Sequence, residues 1–158
     1  MTALIVLVLV VAAAVVAATV VVRTQKRNFA EANVVRPGTA TKAPAEWAGA
    51  HTPEARLHRR LRDAVAAVRA NPAMEDAFMM DARVSLEQQA LAVDERLIAV
   101  AALPEGVRAE PMASVAAAVD SVEAAVAALV AGEGKATLDQ AMVEVADRVA
   151  LLEQGGSV

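Results

Sequence analysis

An all-α fold follows from three features of the sequence. Residues 3–22 carry no charge, four later segments repeat apolar side chains at steps of three and four, and no segment alternates with the period of a strand. Together they predict a single N-terminal transmembrane helix, a flexible tether and an antiparallel three- to four-helix bundle with coiled-coil-like packing. The expected boundaries are 1–22 for a signal-anchor helix, 23–52 for a basic juxtamembrane tether and 53–158 for the bundle.

The chain of 158 residues has room for one folded body beyond the apolar leader. With one Trp, two Phe and no Tyr, its core must be built from small aliphatic side chains and methionine. The absence of Cys excludes disulfides and thiolate metal sites. The net charge of −4 conceals a segregation: residues 23–72 hold ten basic and four acidic side chains, whereas 73–158 hold five and fifteen. A basic neck precedes an acidic body.

Residues 3–22 comprise thirteen Leu, Ile or Val, six Ala and Thr19. As a helix they extend about 30 Å, the thickness of bilayer hydrocarbon, and insertion is favoured by about −5 kcal/mol. A cleaved signal would begin with basic residues and have a shorter apolar run; here only Met1 and Thr2 precede the run and the charges follow it. Arg23, Lys26 and Arg27, supported by Arg36, predict an N-terminus outside and a cytoplasmic body at the cell membrane. Ala13-xxx-Ala17 and Ala14-xxx-Ala18 have the small-xxx-small spacing compatible with a homo-oligomer, although so many alanines also produce it by chance.

Between 28 and 52, two prolines and two glycines with no sustained period read as a tether. Trp47 is read as a ring capping the end of the bundle, in preference to a membrane or partner anchor. Thr52-Pro53 starts a helix over 53–70, with Leu57, Leu61, Ala64, Val65 and Val68 on one stripe. Asn71-Pro72 repeats the device before a long helix over 73–102. Its Met79, Leu86, Val93 and Val100 recur every seven residues with Ala90 and Leu97, and Val84, Leu91 and Ile98 form a second stripe. Two stripes imply two neighbours. Prolines 104 and 111 place the next helix at 111–131, with alanines 116, 118, 125 and 127 flanking its seam. Thr137–Gln140 resembles a capping box and predicts a last helix over 138–154. Short connections make the last three helices an up-down-up bundle, with the first packed along the excess length of the second.

The chemistry-bearing residues are sparse. His51 and His58 are read as solvated, because Glu54 and Asp63 do not complete a metal constellation. Glu87 and Asp94, between the two stripes, are expected to edge the packed face and reach water. Met74, Phe78, Met79 and Met80 read as core filling rather than a partner groove. No phosphate loop, nucleophile elbow or catalytic triad is present, so neither catalytic residues, a cofactor nor a metal is expected. Arg56, Arg59, Arg60, Arg62 and Arg69 surround the apolar stripe of the first helix and are the candidate lipid- or partner-contacting residues. The acidic body and the lack of stacking aromatics on that helix argue against nucleic acid. The expected function is a membrane-anchored scaffold or docking module for a protein partner, not an enzyme; the alternative is an anionic-lipid sensor using 53–70.

Overall fold

The computed structural model describes residues 34–155 apart from 37, 40, 72–76 and 134. Four helices build the body: α1 (Pro53–Ala70), α2 (Ala77–Ala101), α3 (Glu105–Val130) and α4 (Lys135–Gln154). A 3-10 turn at Ala45–Ala48 precedes them, and there is no strand among the described residues. The anchor expected at 1–22, and with it Arg23, Lys26 and Arg27, lies outside the described residues.

Each helix end has a local cause. Thr52 accepts a hydrogen bond from the Ala55 amide at 3.3 Å, with Pro53 at the first helical position where its missing N–H costs nothing. Helix α3 closes on a Schellman motif: Gly132 takes φ +66°, its amide donates to the Leu129 carbonyl and the Glu133 amide to that of Ala128. That left-handed turn is where glycine is required.

Two starts differ from the expected ones. Helix α3 begins at Glu105, not 111, because Pro104 already occupies the cap and Pro111 forfeits only the bond to the Val107 carbonyl. Val107 is 61% exposed, so water reaches that region. The Arg108 guanidinium strengthens this end by donating to the Leu103 carbonyl at 2.7 and 3.1 Å and to Glu54 at 3.3 Å. Helix α4 begins at Lys135, not 138, since the tight turn after α3 leaves two residues before it. Thr137 is therefore inside the helix, and the expected capping box does not form.

Side-chain pairs fix the directions. His58 meets Asp94 and Arg69 meets Glu87, so α1 and α2 are antiparallel. Glu54 meets Arg108 and Arg60 meets Glu123, so α1 and α3 are parallel. Helices α2 and α3 form the central pair, with α1 touching both from one side and α4 touching both from the other. The first helix is thus a full member of a four-helix arrangement, not an attachment to excess length of the second. Among the described residues, α3 is also the one helix long and apolar enough to cross a membrane by length and composition, and half of that stretch is buried in the bundle.

The core has the periodicity read from the sequence. Leu86, Ala90, Val93, Leu97 and Val100 of α2 face Val115, Ala118, Val119, Val122, Ala125 and Leu129 of α3, and all are buried. Ala118 and Ala125 are inaccessible to solvent and let the two axes approach, whereas Ala127 is exposed. Met79 packs on the core but Met80 is exposed, and so is Val84 at the end of the second stripe. The segment 34–50, expected to belong to the tether, lies on the bundle. Val35 and Trp47 join the core, Lys42 pairs with Glu95 at 3.0 Å, and Arg59 donates to the carbonyls of Trp47 and Ala50 at 3.1 and 2.7 Å. Since 36 pairs with 87 and 42 with 95, this strap runs along α2 in the same direction.

A fragment of residues 34–158 is expected to unfold cooperatively by circular dichroism in denaturant. Leu97→Asp places an unpaired charge in the central seam and is expected to cost several kcal/mol, whereas Gln88→Asp on the exposed face costs little. Equal losses would contradict the assigned faces.

Candidate functional site

Glu87 and Asp94 lie seven residues apart on α2, in the arc between its two apolar stripes. Helix α1 and the strap cover that arc from both sides, so the carboxylates are buried instead of reaching water: Glu87 is 2% and Asp94 5% exposed. His58, expected to be solvated, is inaccessible on the covered face of α1; His51 is exposed. A buried carboxylate needs partners, and the fold supplies them.

Asp94 Oδ1 lies 2.6 Å from His58 Nδ1. A carboxylate can only accept, so Nδ1–H donates and the ring is oriented by that bond. The Trp47 ring meets the imidazole edge-on at 5.7 Å between centroids and seals it from the strap side. A cavity of about 70 Å³ remains beside the pair, lined by Thr39, Thr41, Lys42 and Asp94 among others. The imidazole itself has no access to solvent, so it cannot act on an external substrate in this arrangement.

Glu87 receives three guanidinium groups. Arg69 donates to both of its oxygens at 2.8 Å, Arg83 donates at 3.1 Å from one turn away, and Arg36 of the strap lies 3.1 Å off. Burial pushes the carboxyl up, but the hydrogen bonds and charges of Arg69 and Arg83 outweigh it and hold it below the ordinary carboxylate value.

The candidate arginines of α1 are drawn into this frame by different routes. Arg60 reaches Glu123 at 2.9 Å and Asp120 at 2.6 Å on α3, and those carboxylates hold its guanidinium still more firmly protonated. Arg62 turns to Asp63 at 2.7 Å, Arg59 ties down the strap, Arg69 serves Glu87, and Arg56 is exposed. The stripe Leu57, Leu61, Ala64, Val65, Val68 is entirely buried. Thus the structure brings Arg69 together with Arg36, Arg83 and Glu87 and leaves Arg56 apart. The sequence reading missed His58 and the two carboxylates as buried groups. The available signal was their position between two stripes on a helix that needs two neighbours.

Elsewhere, Arg96 stands between two open depressions, one of about 340 Å³ between α2 and α4 and one of about 260 Å³ beside Pro111. Among the described residues no group of three His, Asp or Glu is placed to hold a metal. Comparison with protein-family models, with curated proteins and with solved structures gave no match.

The Glu87 cluster predicts a defined acid limb. Its folded value is lowered, so its contribution is complete above the ordinary value of 4.5 and is lost as pH falls through the folded value. Glu87→Gln is expected to cost about 3 kcal/mol at neutral pH and to flatten the fall in stability below pH 4.5, read by denaturant unfolding across pH. Parallel acid limbs in parent and variant would contradict the assignment.

Proposed function

We propose that this chain is a single-pass membrane protein, anchored by residues 1–22 with its N-terminus outside, whose cytoplasmic four-helix body docks a protein partner. The observation that carries the reading is how α1 is used. Its whole apolar stripe and its Arg59, Arg60 and Arg69 are engaged within the bundle, so the helix with the strongest membrane-surface character has its apolar face occupied. A lipid sensor would need that stripe at the acyl boundary, and the stripe cannot serve both surfaces.

The free surface favours a protein. Helix α4 fully buries only Leu138, Val145 and Leu152, one residue every seven. Its outer face exposes Val143 at 59% and Leu151 at 61%, among Asp139, Glu144 and Asp147; Lys135 pairs with Asp139 at 2.9 Å and Arg148 approaches Glu144 at 4.0 Å, and the α4 acids, four with Glu153, still outnumber these two cations. Apolar side chains set in an acidic surround suit a basic amphipathic segment, with steering from the charges and contact energy from the aliphatics. The body is then a rigid platform held at the membrane, with no chemistry of its own.

The test has two parts. Cysteines placed singly at Thr2 and Ser157 are expected to divide under an impermeant maleimide on intact cells, Thr2 reacting and Ser157 protected; the reverse would overturn the orientation. Photocrosslinking side chains at Val143 and Leu151 are expected to give one discrete protein adduct that is abolished by Val143→Glu, whereas one at Arg56 gives none. Lipid adducts from Arg56 with none from α4 would favour the lipid sensor.

A further inference from the structure

The Glu87 cluster has more cation than its own carboxylate can use. Arg36, Arg69 and Arg83 bring three positive charges to one negative, a local excess of +2, and Glu87 is the one acid among the described residues paired with any of them. Glu87 is enclosed, with its side chain 3% exposed, while the arginine side chains remain 35%, 27% and 26% exposed. The arginines therefore come from three separate segments, the strap, the last turn of α1 and α2, and share one buried floor. That convergence restrains their charged heads at a common surface point. Each guanidinium has further N–H donors beyond those Glu87 engages, arranged in planar forks suited to two oxygens at once.

We infer that Arg36, Arg69 and Arg83, held together over Glu87, form a binding site for a phosphomonoester oxyanion. A dianionic phosphate matches the excess charge, and its several oxygens match donors arriving from three directions. A carboxylate ligand offers one charge and two oxygens, which leaves part of the excess unmet. The phosphate can be a free or small-molecule group or a lipid headgroup; the second source rests on the membrane reading above, and the first does not.

The test uses the full chain in neutral micelles, with the arginine Nε–H resonances followed as inorganic phosphate replaces chloride at constant ionic strength. The three cluster resonances are expected to shift saturably, with affinity about tenfold weaker in Arg36→Gln and unchanged in Arg56→Gln. Arg36 is chosen because Arg69 and Arg83 still neutralise Glu87 without it. A parallel arm places the chain in neutral bicelles doped with phosphatidic acid. Saturation by inorganic phosphate supports the site and assigns a soluble oxyanion; a response to the doped bicelles alone supports it and assigns a headgroup. Absence of a response in both arms, or an equal response to chloride, overturns the site.

Discussion

Two carboxylates on one helix face, Glu87 and Asp94, constrain everything laid over α2. Helix α2 presents apolar stripes to two sides, so whatever lies between them is covered when the stripes are covered. An unpaired ion there would cost several kcal/mol, and removal of one partner from a buried pair costs about 3–5 kcal/mol. The chain meets this by bringing His58 and Arg69 to those positions from α1, eleven residues apart on a helix that runs the opposite way. Apolar packing alone would tolerate α1 displaced along its axis. The two polar pairings do not, and this gives them the register-setting role that buried polar groups have in helical assemblies.

Four basic residues of the neck use the charge segregation of the sequence. Arg36 and Arg69 reach Glu87, Lys42 reaches Glu95, and Arg60 reaches Asp120 and Glu123. The exposed members contribute little individually, because solvent screens them. Together they link the strap and α1 to the acidic helices at several points. Trp47 packs on His58, and Arg59 gathers the carbonyls at the end of the strap. The outer face of α4 takes no part in this clasp, and Val143 and Leu151 stay exposed on it.

Much of the fold was legible because helical periodicity is a local property. The Thr52-Pro53 start, the seven-residue repeat from Leu86 to Val100 and the glycine stop at 132 are each written in a few adjacent residues. The start of α3 was not, since proline usually opens a helix and only the exposure of Val107 makes Pro111 tolerable in the second turn. Burial of His58, Glu87 and Asp94 was less legible still. Each looks solvated alone, and only the meeting of α1, α2 and the strap makes partners of residues 18 to 51 positions apart. The arginines of α1 were visible as a group, but the sequence does not say which acid each will find.

A double-mutant cycle on the His58–Asp94 pair tests the register-setting role most directly. His58→Phe, Asp94→Leu and the double variant would be compared by denaturant unfolding of residues 34–158. The account predicts that each single change is strongly destabilising, that the double recovers much of the loss, and that the coupling is about 2 kcal/mol. Additive losses would mean that the two side chains do not depend on each other, and the register of α1 would have to be set by Arg69–Glu87 and apolar packing without this pair.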